Sequence, residues 1–172
     1  MYFELFPTVD YVNFGQTNSK TVTNITKRPA VRQSIKDNLT VFTKHIIRSG
    51  ETPESIAFDL YGDAELHWII LLTNDIYDRY HQWPMNVNQF QAYVNEKYSD
   101  PFATHHFEIS QTSGDTTIKI DIGQDDTDHS GATAVTNYQY EQDRQDILRQ
   151  IKLVDPDNVN QFVSDFSKLM EE

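Results

Sequence analysis

The hydrophobic pattern is most informative between residues 41 and 74, where a strand and two short helices can be read from local signals. Val41 to Arg48 (VFTKHIIR) is rich in β-branched and aromatic residues, which predicts a strand. Thr52 predicts an N-cap, and Pro53 occupies the first helical position, where its missing N–H is no loss. Ile56, Ala57, Leu60 and Tyr61 follow at helical spacing, and Gly62 offers the left-handed residue that ends the helix. Asp63 restarts the chain as the N-cap of a second helix. Leu66, Ile69, Ile70 and Thr73 form one of its faces, and Trp68, Leu71 and Leu72 form another. A helix apolar on both faces must be covered on both sides, either by the remaining chain or by a partner protein.

The flanking patterns are weaker. Tyr2, Phe3, Leu5 and Phe6 precede Pro7 and predict a short extended arm, and Thr21 to Thr26 alternates as a modest strand after the turn-rich Gly15 to Ser19. Trp83-Pro84-Met85 forces an extended turn, after which Asn88 and Gln91 predict a capping box for a helix running to Tyr98. His106–Ser110 and Thr116–Ile122 alternate across Gln111 to Asp115 and predict a β-hairpin. Gln124 to Thr136 is expected to be a mobile acidic loop. Tyr140, Arg144, Ile147, Leu148 and Ile151 predict a helix that gives way near Lys152. Asp155 and Pro156 then open the best amphipathic helix of the chain, with Val159, Phe162, Val163, Phe166, Leu169 and Met170 on one stripe. That stripe must dock on something.

The expected fold class is therefore α+β. Four segments follow from the pattern: residues 1–40 as an N-terminal arm with short strands, 41–100 as a β-α-α module plus the following helix, 101–136 as a β-hairpin and acidic loop, and 137–172 as a C-terminal helical segment. At 172 residues the chain can bury a real core. No apolar run reaches membrane-spanning length and the first residues lack the pattern of a leader, so a soluble chain that enters no secretory path by itself is expected. On that ground the sequons Asn24-Ile25-Thr26 and Asn38-Leu39-Thr40 are read as chance.

Charge narrows the partners. The net charge is −12, with 12 acids against 9 bases in residues 1–100 and 14 against 5 in residues 101–172. Such a surface repels phosphate backbones, which disfavours nucleic acid. Lys27, Arg28, Arg32 and Lys36 form the one basic cluster, which is read as a solvated connection.

Candidate chemistry is sparse. With no cysteine there is no disulfide, thiol catalysis or thiolate metal site. Asp126-Thr127-Asp128-His129-Ser130-Gly131 fits the opening of a calcium loop, but Asn137 stands where its closing Glu belongs. His105 and His106 are adjacent in a predicted strand, so their side chains are expected on opposite faces, unable to share an ion. His67 reads as a satisfied or partner-facing histidine, and Glu51, Glu54 and Asp63 sit at helix starts in structural positions. No phosphate loop, nucleophile elbow or HExxH pattern occurs. Neither an enzyme nor a resident metal or cofactor is expected.

The strand, the Gly50-Glu51-Thr52-Pro53 turn, the Ile56-Ala57 helix and the second helix ending in Asn74 resemble a LysM domain, a small βααβ module best known for binding peptidoglycan and chitin. Residues 75–85 depart from the closing strand that this resemblance implies. A wider resemblance rests on Met1 to Pro7, Asn24 to Arg28, Gly50 to Ala57, Tyr61-Gly62-Asp63, His67 to Leu71, Trp83-Pro84, Tyr93 to Tyr98, Arg149 to Val154, and Gln161-Phe162-Val163 to Met170. In that order these segments resemble the LysM-containing baseplate wedge proteins of T4-like contractile-tailed phages, the gene product 53 family. The resemblance implies a structural protein present in several copies per virion, assembled in the host cytoplasm, that joins neighbouring wedges in the inner tail baseplate by protein-protein contacts with other baseplate wedge proteins. It implies no catalytic residues, no nucleic acid and no membrane. Phe3, Phe6, Trp68, Trp83, Phe162 and Phe166 are the aromatic residues expected at interfaces on this reading. The alternative is a peptidoglycan-binding tail or lytic protein, against which stand the altered closing strand and the acidic surface.

Overall fold

A computed structural model describes residues 2–15, 17–27, 29–31, 41–124 and 130–171. Arg28, Arg32 and Lys36 of the basic cluster, the sequon at Asn38 and most of the calcium-loop candidate lie outside the described residues. Strands β1 (Thr8–Val12), β2 (Ser19–Thr23) and β3 (Phe42–Ile46) precede helices α1 (Pro53–Tyr61), α2 (His67–Thr73) and α3 (Arg79–Gln82). Helix α4 (Val87–Lys97), strands β4 (Thr104–Ser110), β5 (Lys119–Gly123) and β6 (Thr133–Thr136), and helix α5 (Asn137–Leu148) come next. Strand β7 (Gln150–Val154) and helix α6 (Val159–Glu171) end the chain. Two compact units result: Met1–Trp83 with Gln150–Glu172, and Pro84–Arg149.

In the first unit the local signals around α1 act as expected. The Thr52 hydroxyl accepts from the Ser55 amide at 3.2 Å while the Thr52 amide donates to the Ser55 hydroxyl at 2.9 Å, a reciprocal cap. Gly62 closes the helix at φ +76°, a left-handed conformation that a side chain would strain, with its N–H on the Phe58 carbonyl. Asp63 caps not α2 itself but a 3-10 turn, Ala64–Leu66, from which α2 continues.

The faces of α2 divide between two hydrophobic clusters. Trp68, Ile69 and Leu72 pack with Phe42, Val154, Val159, Phe166 and Met170, whereas Ile70 packs with Ile47, Ile56, Ala57, Ile151 and Leu153. The chain itself therefore wraps this helix, using its own last strand and last helix. Each fully buried large apolar side chain contributes about 1.5–3 kcal/mol relative to exposure.

Strand β7 corrects the reading of residues 150–154 as the fading end of a helix. It pairs antiparallel with β3, Phe42 opposite Val154 and Ile46 opposite Gln150. Ile151 and Leu153 alternate inward, which a strand satisfies and a continued helix would not. Asn74 fastens β7 to the end of α2: its amide donates to the Ile70 and Lys152 carbonyls at 2.8 Å each, and its carbonyl accepts from the Lys152 amide at 2.8 Å. The Tyr61 hydroxyl donates to the Val154 carbonyl at 3.0 Å, and burial pushes its pKa up to about 12.

The N-terminal segment is not extended. Tyr2–Leu5 forms a 3-10 turn that buries Phe6. The cause is aromatic: Tyr2 lies 5.2 Å from Trp68 and 5.7 Å from Phe166 between ring centroids, so the turn places its rings on the core. Strands β1 and β2 then pair antiparallel and are largely exposed, Thr8 opposite Thr23 and Val12 opposite Ser19.

The second unit is a three-stranded antiparallel sheet, ordered β5-β4-β6, with α4 and α5. The expected hairpin is β4–β5, Ser110 opposite Lys119. Residues 133–136, expected to be loop, instead add β6 to the other edge of β4, with Val135 buried opposite His106. Helix α4 starts two residues earlier than expected, with Asn86 and Gln89 as the capping box. It belongs here rather than with residues 41–83, because Phe90 meets Tyr138 edge-on at 5.2 Å and Lys97 pairs with Glu141 on α5 at 2.6 Å. The stripe assigned to α5 is misleading: Ile147 is exposed, and the side chains it buries are Glu141 and Gln145.

Candidate functional site

The end of α2 shapes an open concavity of the first unit. Asn74 closes the helix and Asp75 takes φ +55°, a left-handed position that Asp tolerates better than most side chains. The Ile76 amide then reaches the Leu71 carbonyl at 2.9 Å and the Asp75 amide the Leu72 carbonyl at 3.3 Å, the Schellman arrangement. This turn sets Ile76 beside Leu71 and delivers Tyr77 to the surface.

Opposite it, Asn24 accepts from both the amide and the hydroxyl of Thr26, at 3.1 and 2.6 Å. The Asn-x-Thr triplet is thus a turn device that presents Ile25. Between these two turns lies an open groove of about 690 Å³, floored by Phe6, Trp68 and Leu72 and edged by Phe3, Ile25 and Tyr77. Phe3, Ile25 and Tyr77 are 57%, 69% and 72% exposed, a concentration of apolar surface that water does not favour. Lys27 donates to the Met170 carbonyl at 2.8 Å, and His67 uses Nδ1 to reach the Ala64 carbonyl at 2.9 Å. Burial pushes the Tyr2 hydroxyl up, and the nearby Tyr77 adds to the shift.

The six aromatics singled out from sequence are distributed unevenly. Phe6, Trp68 and Phe166 are buried in the unit's own core, with Trp68 and Phe166 4.7 Å apart between centroids. Phe162 is half-buried 6.3 Å from Trp68. Trp83 is half-buried elsewhere in the first unit, its indole N–H on the Glu51 carbonyl at 2.9 Å. Only Phe3 of the six is largely exposed. Sequence reasoning placed Leu71 on an apolar face of α2 but missed Ile25, Ile76 and Tyr77. The signals for them were the Asn-Ile-Thr triplet and the Asn74-Asp75 helix ending.

In the second unit, Glu141 is buried and receives hydrogen bonds from Lys97 Nζ at 2.6 Å and the Tyr98 hydroxyl at 2.8 Å. Burial works to raise its pKa, but those two donors and the nearby Arg144 hold it below the ordinary carboxyl value. Lys97 is raised, chiefly by its hydrogen bond to Glu141.

His105 and His106 depart from the geometry expected of them. An irregularity in register between Thr104 and His106 breaks the alternation, and the two rings meet with Nδ1 atoms 2.9 Å apart. Among the described residues, no group of three or more His, Asp or Glu side chains could hold a metal ion. No described helix is long and apolar enough to cross a membrane.

The first unit is thus a small α+β fold that carries an open, apolar, aromatic-edged groove. Residues 1–106 match the model of the family described as base plate wedge protein 53, and the chain belongs to that family. It is 26% identical over 144 residues to baseplate wedge protein gp53 of Enterobacteria phage T4, a match covering 74% of this chain and 72% of that protein. The chain is thus a structural component of a phage tail baseplate. Neither comparison supports the peptidoglycan-binding or lytic alternative.

Proposed function

We propose that this chain joins neighbouring wedges of the baseplate, in several copies per virion, and that its groove receives an apolar segment of another wedge protein. The observation that carries this reading is the exposed trio Phe3, Ile25 and Tyr77 around a floor of buried aromatics. Rigid aromatic surface beside a preformed pocket is where interface energy concentrates. On this reading Phe3 touches the partner, Phe6 and Trp68 hold the floor, and Phe162 and Phe166 support it from α6. Trp83 braces the turn before α1. The protein takes no part in catalysis, needs no cofactor, and is assembled in the host cytoplasm.

The same unit supports a LysM-like reading of β3, α1, α2 and β7. Two antiparallel strands and two helices, with the closing strand drawn from residues 150–154, fit the βααβ order that residues 75–85 interrupt.

The test is co-expression with the other wedge proteins of the same phage, followed by light scattering after size exclusion. The natural chain is expected in a stable heteromeric species. The double substitution Phe3→Ser, Tyr77→Ser should weaken that species at least tenfold while leaving the unfolding midpoint of the isolated chain unchanged. Full assembly of the double variant would overturn the groove as the docking face.

A further inference from the structure

The two histidines of β4 sit in a hydrogen-bonding arrangement that counts protons. His106 is buried and its Nε2 lies 3.1 Å from the Glu108 carboxylate. An ionised carboxylate only accepts, so that nitrogen carries a proton. Its other nitrogen, Nδ1, is 2.9 Å from Nδ1 of His105, and a bond of that length needs one N–H and one lone pair. Two protonation states satisfy every contact. In the first, both rings are neutral and His105 donates to His106. In the second, His106 is an imidazolium that donates to both Glu108 and His105, and His105 is neutral with its own proton on Nε2.

A further proton has no such place. With both rings charged, two N–H groups would point at each other across 2.9 Å, and the contact must open. Among the described residues the pair has no third ligating side chain for a metal.

The pair also bridges two elements. His105 stacks on Tyr140 of α5 with centroids 3.9 Å apart and planes 11° from parallel, and His106 meets the same ring edge-on at 5.9 Å. The other charged groups around it include Glu108 on β4, Asp121 opposite Glu108 on β5, and Asp143 and Arg144 on α5, the latter with its guanidinium 5.8 Å from the Tyr140 ring centroid. The paired strand β6, Thr133–Thr136, brings no titratable side chain. Glu108 and Asp143 favour the first charge, which His106 can hold with its bonds intact. The second falls on His105, beside the charged His106, on the ring that stacks against α5.

We propose that His105 and His106 form a proton-limited clamp between β4 and α5, stable with no or one added proton and released by the second. The device would let acidification loosen α5 from the sheet while the first unit stays folded.

Histidine-resolved NMR titration of the full chain tests this, with His105→Phe as the companion variant because phenylalanine keeps the stack and removes the nitrogen. In the natural chain the two rings should titrate in separate steps at least about one pH unit apart, a tenfold weaker second protonation. The ring-current shift that Tyr140 imposes on His105 should survive the first step and vanish with the second. His105→Phe should show one simple step for His106 and keep amide exchange protection in α5 at the pH where the natural chain loses it. Two independent, coincident steps in the natural chain, with the Tyr140 shift unchanged throughout, would overturn the proposal whether or not the variant folds.

Discussion

Replacing Asn74 by alanine removes three side-chain hydrogen bonds and tests whether β7 closes the first unit as described. One of the three falls on the Ile70 carbonyl, which also accepts from the Asn74 backbone amide at 3.3 Å and so keeps a partner. The other two engage the amide and carbonyl of Lys152, both at 2.8 Å, on the strand edge turned towards α2. Each net hydrogen bond contributes about 1 kcal/mol, and a buried group left without a partner costs about 1–3 kcal/mol. The site is only partly buried, so water compensates in part, and the expected loss is about 2–3 kcal/mol. In a domain whose total stability is about 5–15 kcal/mol that is readily measured by urea unfolding. Hydrogen exchange should locate it: the Lys152 amide loses protection far more than the α1 amides. Asn74→Asp sharpens the test, because the carboxylate keeps the bond from the Lys152 amide but faces two carbonyls. It should be worse than alanine at neutral pH and recover as acid protonates the new carboxyl. A loss under about 0.5 kcal/mol in Asn74→Ala, or unchanged protection at Lys152, would refute the closing role of this side chain.

Trp68→Ala should cost about 3–5 kcal/mol, as large aromatic truncations in cores do, and Trp68→Phe distinctly less, both read from unfolding midpoints. Such a loss would arise inside the chain, so it should appear in the isolated protein before any partner is added. For the Lys97–Glu141 pair the signs are opposite. Glu141 has a lowered folded pKa, so its contribution is present above the ordinary carboxyl value of about 4.3 and is lost as pH falls through the lower folded value. Lys97 has a raised one, so its contribution is present below about 10.4 and is lost as pH rises through the folded value. Lys97→Met strands the buried carboxylate with Tyr98 and Arg144, and, discounted for the exposure of the lysine, should cost about 1–2 kcal/mol in the second unit. Unfolding followed as a function of pH should show that deficit shrinking as pH falls through the lowered folded value of Glu141, because the carboxyl then becomes neutral in both proteins.

Local chemistry made the stretch from Val41 to Asn74 readable, because caps, proline, glycine and apolar spacing all agree there. The same reasoning failed wherever the deciding contact was distant in sequence. Tyr2–Leu5 looks extended in isolation and becomes a 3-10 turn because Trp68 and Phe166 offer rings for Tyr2 to pack on. Residues 133–136 look like loop, being short and polar, and become a strand because β4 has a free edge. In α5 the residues that matter are the polar Glu141 and Gln145, which a search for apolar stripes passes over. Of the groove, only Phe3, Phe6 and Trp68 were anticipated as aromatic candidates, since its edge is made by two turns whose proximity is tertiary.

The placement of β7 carries that reasoning to the architecture. Residues 75–85 do not supply a closing strand because the chain leaves the first unit after Trp83 and returns at Gln150 with the strand in hand. Pairing Phe42–Ile46 with Gln150–Val154 closes a loop of more than one hundred residues. Loop-closure entropy grows only logarithmically, about 0.6 kcal/mol per doubling, so the length itself is a modest burden. It shrinks further if Pro84–Arg149 has already collapsed, since a folded insert acts as a shorter tether. The first unit therefore gains its last strand most easily after the second has formed.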